Sequence, residues 1–487
     1  MSLRETWRGL RNRLASGSFL ASVAAVSGST LAVQAISLVA APVTARLYTP
    51  ADHGLLALFS SCFSLLTLLA TLRYEAALPL ARDDREAAHL LALGGLLTLA
   101  LTALVALVCL AFPQPIADLL AQDARVGQFL WFLPLGVLLP AAFNLLTAGA
   151  VRSQQFGTLA QAKVTQAVAG AGTSIGLGFA QVGVVGLMAG TLATWVVGLR
   201  TVGRGVLGAL REQWSALSWA GLKEVARLHY RFPLYNTGAQ LVNAASLQLP
   251  VFLLSAYASA AATGWFALTF RMLLLPTVLI SGAITPVFYS RAREAREDGS
   301  LREFTERMLG AIGGVNAFFV VFVALFGEPL FALVFGEAWT RSGTYAAVMA
   351  PWLLVNFMVT PLATLPLVFH RQGMDFFFHA ALLVLRASAM LGGLALGGDL
   401  PGVAAFSAAS ALCILAYLAW ILRLVKVPFA PVLARLSREL ALALVMLGAC
   451  RLVWSFSDGS LLWTGMALAP VLGFGAWRAL RQLKTLA

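Results

Sequence analysis

Apolar residues in this chain come in long unbroken blocks, not in the one-sided rhythm of a soluble amphipathic helix. Fourteen such blocks can be drawn, at 19–45, 54–80, 87–112, 128–150, 158–180, 182–203, 232–256, 262–289, 308–334, 344–369, 374–397, 401–422, 436–455 and 460–480. About 20 apolar residues suffice to cross a bilayer core about 30 Å thick, so each block predicts a transmembrane helix. Pro134, Pro140, Pro276, Pro286, Pro361 and Pro366 fall inside blocks. Membrane helices tolerate this because neighbouring groups re-satisfy the freed backbone. The predicted fold is an all-α polytopic membrane protein with about 14 transmembrane helices.

The polar positions between blocks set the orientation. With the N-terminus inside, the inner loops, tails and helix ends hold 26 of the 34 Lys and Arg residues. The outer rims hold Arg46, Arg125, Arg341 and Arg451, and four further cations lie inside blocks. Such a bias follows the positive-inside rule, and an odd helix count would break it. Both termini are therefore expected in the cytoplasm of a bacterial cell with a multi-pass inner membrane protein. Arg4, Arg8, Arg11 and Arg13 precede the first block. That block is longer than the roughly 7–15 residues of a secretory signal core, so it reads as an uncleaved helix.

Composition agrees: 60% of residues are hydrophobic and 11% charged, against about 45–50% and 25% in soluble domains. The net charge of +13 is read as topology signal plus attraction to anionic phospholipids of the inner leaflet, with no call for nucleic acid. Cys62, Cys109, Cys413 and Cys450 fall in apolar blocks without metal-like spacing. No metal or cofactor is expected.

The chain reads as built twice. Gly54-Leu55-Leu56-Ala57-Leu58 opens the second block and Gly264-Trp265-Phe266-Ala267-Leu268 the eighth, and each of these blocks ends at a charged loop. The predicted domains are two pseudo-symmetric six-helix bundles at 1–203 and 232–425, a basic cytoplasmic linker at 204–231, and two additional transmembrane helices at 426–487. Repeats with an even helix count are parallel, a transporter architecture.

Polar stripes mark candidate binding positions. Ser27, Thr30, Gln34 and Ser37 share one face of the first helix, and Asn236, Gln240 and Asn243 one face of the seventh. Lipid-facing stripes do not carry amides, so these positions either bond between helices or line a cavity. Four cations lie inside blocks: Arg73, Lys163, Arg271 and Arg386. By helical rise Arg271 lies about 14 Å from the outer end of its block and Arg386 about 18 Å from the inner end of its own, near the midplane. A charge there costs about 2.5–3.5 kcal/mol on insertion scales and normally has a partner. Glu75 is the one acid well inside a block, and about 200° of helix separates it from Arg73, so the two are not expected to face each other. An interior short of acids suits an anionic substrate. The competing reading has these side chains bonding backbone carbonyls or snorkelling. Asp375, His379 and Arg386 share one face of the eleventh helix; His379 is a candidate for proton coupling, while Asp375 at the helix entrance also reads as a cap.

Several segments then show a resemblance. Leu72-Arg73-Tyr74-Glu75-Ala76-Ala77-Leu78-Pro79-Leu80 with Asp83-Asp84-Arg85-Glu86-Ala87-Ala88, Arg152-Ser153-Gln154-Gln155-Phe156-Gly157, Tyr289-Ser290-Arg291-Ala292, Phe326-Gly327-Glu328-Pro329-Leu330-Phe331 and Val334-Phe335-Gly336-Glu337-Ala338-Trp339 are similar to Wzx-type polysaccharide flippases. The resemblance runs from about residue 20 to 425. It implies the multidrug/oligosaccharidyl-lipid/polysaccharide exporter fold, a V-shaped pair of six-helix bundles. It implies an undecaprenyl-pyrophosphate-linked glycan as cargo for lipopolysaccharide, O-antigen or exopolysaccharide synthesis, with polysaccharide polymerase and chain-length machinery as partners. Many relatives have twelve helices; fourteen is the count of lipid II flippases, so a peptidoglycan precursor stays open as cargo. A cation-coupled drug exporter would want acids in place of arginines. A polymerase or ligase enzyme usually carries a large outer loop, and the longest here covers about 113–127. The chain is read as a transporter, not an enzyme.

Overall fold

The computed structural model describes residues 17–121, 123–276, 291, 295, 299–369, 371–457, 467–471 and 473–475. Among them the chain is helical throughout, with no strand. It divides into two compact units, Met1–Ala245 with Ser259–Ala261, and Ser246–Ala258 with Ala262–Ala487.

The first unit holds α1 (Gly17–Leu47), α2 (Pro50–Ala70), α3 (Asp84–Ala111), a short α4 (Pro113–Leu120), α5 (Phe132–Arg152), α6 (Phe156–Phe179), α7 (Val184–Ala209) and α8 (Trp219–Leu228). A capping box starts α2: the Thr49 hydroxyl accepts the Asp52 N–H, and the Asp52 carboxylate accepts the Thr49 N–H at 3.1 Å. Helices α2 and α5 meet at Phe59, Phe63 and Phe132. Gly136 permits that approach, since a Cβ there would sit 2.0 Å from the Phe63 ring. The linker packs onto this unit. The buried His89 donates from Nδ1 to the Arg85 carbonyl at 2.7 Å and accepts the Ser218 N–H at Nε2. His229 meets Glu86 at 2.7 Å.

Helix α9 (Thr237–Tyr257) starts in the first unit and ends in the second. The second unit continues with α10 (Ala260–Pro276), α11 (Leu301–Phe335), α12 (Thr340–Val359), α13 (Gln372–Gly397), α14 (Asp399–Leu424) and α15 (Phe429–Phe456). Trp339, Tyr345, Trp352, Phe266 and Phe406 are its largest buried side chains. Helices α11 and α12 cross backbone to backbone: a Cβ on Gly343 would come 2.4 Å from the Glu328 main chain. Small residues allow such approaches in membranes. They also give the Phe326-Gly327-Glu328-Pro329 segment a packing reason.

Ten helices among the described residues are long and apolar enough to cross a membrane: α1, α2, α3, α5, α7 and α11 to α15. Helices α6 and α9 are long but richer in glycine, amides and hydroxyls, and the described part of the eighth block is the shorter Ala260–Pro276. Tyr289, Ser290 and Ala292, and most of the fourteenth block, lie outside the described residues. Leu96, Leu99, Leu104, Leu107 and Leu110 of α3 are exposed, an apolar face of the kind that lipid covers. This is a multi-pass membrane protein.

One block departs from its reading as a single helix over 54–80. Helix α2 stops at Ala70, Leu72 and Arg73 take positive φ of 47° and 64°, and a 3₁₀ turn follows over Tyr74–Leu80. Two consecutive side chains in the left-handed region cost about 1–2 kcal/mol each. Nothing in Thr71-Leu72-Arg73 announces the break, because it contains neither glycine nor asparagine.

Candidate functional site

The broken helix corrects the reading of its charges. Off the helical lattice, Arg73 turns back and its Nη1 lies 3.2 Å from Glu75 Oε1. The Thr71 hydroxyl donates to the other Glu75 oxygen at 2.5 Å. Both charged side chains are mostly buried, against the core that Tyr74, Ala77 and Leu78 share with α3, α5 and α7. The 200° separation applied to an α-helix that is not there.

Arg386, on α13, is 4% exposed. Its Nε donates to Ser410 Oγ at 2.8 Å and its Nη1 to Ser246 Oγ at 3.1 Å, and the guanidinium stands 5.1 Å over the Phe406 ring. No carboxylate meets it among the described residues. Two hydroxyls and a quadrupole hold the charge instead.

Arg271, on α10, is the opposite case. Protein surrounds it closely, yet the residue is exposed at the protein surface. Its exposure is the observation that bears on ligand access. It has no ion-pair or hydrogen-bond partner among the described residues. Lys163, on α6, is likewise exposed and without a described partner.

The stripes divide. Gln34 on α1 is half-buried, while Gln240 and Asn243, in the first two turns of α9, are exposed. The Asn236 side chain lies outside the described residues, as does that of Ser27. On α13, His379 Nε2 lies 3.8 Å from Asp375 Oδ1, and the Tyr417 hydroxyl donates to that same oxygen. Asp375 therefore does not cap α13, whose N-cap is Arg371. Around the pair stand Phe378, Tyr417 and Trp420, an aromatic group that the spacing of α13 alone does not reveal. Arg386 is away from this cluster despite sharing the face.

The sequence also hides two networks at helix ends. Arg125 reaches Asp52 at 3.2 Å and Asp123 at 2.8 Å. The Arg125 guanidinium holds the Asp123 carboxyl below its ordinary range. Arg341 pairs with Asp399 at 3.2 Å, and Tyr345 donates to the same carboxylate. Each arginine precedes or opens the fourth helix of its six-block set. Among the described residues no group of three or more His, Cys, Asp or Glu side chains could hold a metal ion.

Residues 43–343 match the family model described as polysaccharide biosynthesis protein. No curated protein matches the chain. Among solved structures, the lipid II flippase MurJ in an inward closed conformation superposes with a TM-score of 0.70 at 13% identity, covering 94% of this chain and 98% of its own. An inward-facing multidrug resistance MATE family transporter of the MOP superfamily gives 0.55 at 15%, over 81% and 94%. A mutant of the Vibrio cholerae MATE transporter VcmN gives 0.51 at 15%, over 85% and 98%. At such identities the likeness is one of fold. A family match over more than half of the sequence places the chain, a membrane protein with the all-helical fold of these transporters, in the polysaccharide biosynthesis protein family.

Proposed function

We propose that this protein moves an undecaprenyl-pyrophosphate-linked oligosaccharide repeat unit from the cytoplasmic to the periplasmic leaflet of a bacterial inner membrane by alternating access. Both termini and the loop around Arg293 face the cytoplasm on this reading. The observation that carries it is Arg271: an exposed arginine on an apolar helix, with no partner among the described residues. A charge so placed is tolerable when an anion meets it for part of the cycle, and a pyrophosphate offers oxygens that Arg grips bidentately. Lys163 adds a second cation for the headgroup, and Gln34, Asn236, Gln240 and Asn243 suit glycan hydroxyls. Arg386 already bonds hydroxyls on two other helices and Arg73 the nearby Glu75, so both are engaged by protein. Glu75 balances Arg73, and His379 with Asp375 are the groups proposed for any proton coupling.

Arg271→Ala should abolish surface polysaccharide while the protein stays in the membrane fraction. Arg271→Lys should restore part of it if a point charge suffices, and little if bidentate grip is required. Normal export by Arg271→Ala would remove the anion-binding role, and loss of the protein from the membrane would make Arg271 structural. A second reading, peptidoglycan precursor as cargo, is favoured by the MurJ-like fold over 94% of the chain. A deletion strain that lyses with intact surface glycan would support it over the first.

A further inference from the structure

In the second unit α11 and α15 enclose a cavity of about 150 Å³. A water molecule takes about 30 Å³ of liquid, so there is room for a tetrahedral oxyanion and its surroundings. Helix α11 presents Arg302, Glu306 and Gly310 to it, at i, i+4 and i+8; α15 presents Arg435, Leu436 and Glu439. Two arginines and two glutamates line it, but they are not paired two by two among the described residues. Arg302 Nε spends itself on Glu306 at 2.9 Å, and Glu439, buried in the lining, has an interaction of its own. Arg435 has no ion-pair or hydrogen-bond partner among the described residues.

The seat of that arginine is built into the opposite helix. A Cβ on Gly310 would come 2.5 Å from Arg435 Nη1, so the guanidinium lies in the space that the missing side chain leaves. Further along α11 come Gly313 and Gly314, and across from them the buried Leu436. The cavity thus offers one uncommitted guanidinium, that of Arg435, within a formally neutral lining, and an apolar, glycine-smoothed floor.

We propose that this cavity binds the phosphate of an anionic phospholipid, with Arg435 gripping the oxygens and the apolar floor taking the start of an acyl chain. The shared chemistry with free phosphate is the oxyanion; the floor is what selects an amphiphile. The site is separate from Arg271 and does not rest on the identity of the cargo. On the proposed orientation both helices begin at the cytoplasmic face, where anionic headgroups are available.

Native mass spectrometry of the purified full-length protein in detergent tests this with phosphatidylglycerol, diacylglycerol and inorganic phosphate as probes. The wild type should retain one phosphatidylglycerol at concentrations where neither diacylglycerol nor inorganic phosphate binds. Arg435→Gln should weaken that binding by about tenfold or more, the scale of one charge-assisted hydrogen bond. Gly310→Ala should weaken it by dislodging the guanidinium, and Arg438→Gln, exposed and outside the cavity lining, should leave it unchanged. Undiminished binding by a folded Arg435→Gln would overturn the proposal. Equal retention of diacylglycerol by the wild type would do the same with no variant needed. Inorganic phosphate binding as tightly as the lipid would overturn the amphiphile assignment.

Discussion

At Arg386 a full charge is shut away from water and shared among Ser246, Ser410 and the Phe406 ring. Removing one acceptor should be worse than removing the charge. Ser410→Ala leaves a buried donor unsatisfied and should cost about 1–3 kcal/mol, whereas Arg386→Met, of similar shape, should be near neutral or stabilising. Melting temperatures in detergent would order the two; a less stable Arg386→Met would show that the charge itself is needed. Arg125 gives a pH-dependent counterpart. The Asp123 carboxyl is held below its ordinary value of about 3.9, so its contribution is complete above that value and fades as pH falls through the depressed one. Wild type should therefore melt above Asp123→Asn at neutral pH, and the gap should close only in strong acid. A gap that widens on acidification would contradict the assignment. These partnerships were not legible in the sequence. Ser246 is 140 positions from Arg386, and no local spacing predicts such a meeting, whereas the four-residue step from Asp375 to His379 is visible directly.

Helices themselves were read well where hydropathy alone decides them, and less well where the backbone departs from a helix inside an apolar run. The break at Leu72 and Arg73 is invisible because both residues are ordinary helix formers; burial of the following turn among α3, α5 and α7 compels it. The converse holds for α11 and α12. The glycines of Phe326-Gly327-Glu328 and Ser342-Gly343-Thr344 stood in the sequence, but only their juxtaposition shows what they permit. Gly343→Ala forces a Cβ to 2.4 Å from main chain, which cannot yield as a flexible side chain would. Overpacking of this kind costs about 1–3 kcal/mol or more. Gly95→Ala on α3 meets nothing within 4 Å and should lower the melting temperature little, if at all. Equal tolerance of the two substitutions would mean that the crossing is looser than described.

For the molecule as a whole the cation count carries the orientation. A variant with Cys62, Cys109, Cys413 and Cys450 replaced, and a single cysteine beside Arg293, should resist membrane-impermeant thiol reagents in intact cells. Labelling from outside would invert the topology and with it the proposed direction of transport. Class and fold followed from sequence because bilayer crossing imposes one dominant pattern, long apolar helices. Which cations are free and which are already engaged did not follow, since partnership depends on helices far apart in the chain. Of the four intramembrane cations, Arg73 and Arg386 have protein partners, while Arg271 and Lys163 have none among the described residues.

The crossing of α11 on α12 has a use beyond stability. Where main chain rests on main chain, no layer of side chains remains to slide, and packed elements of this kind travel together instead of deforming. A spin label on each of these two helices, placed away from Gly327 and Gly343, should report a distance that stays fixed through the transport cycle. That pair can serve as an internal ruler, against which the displacement of any other helix is read.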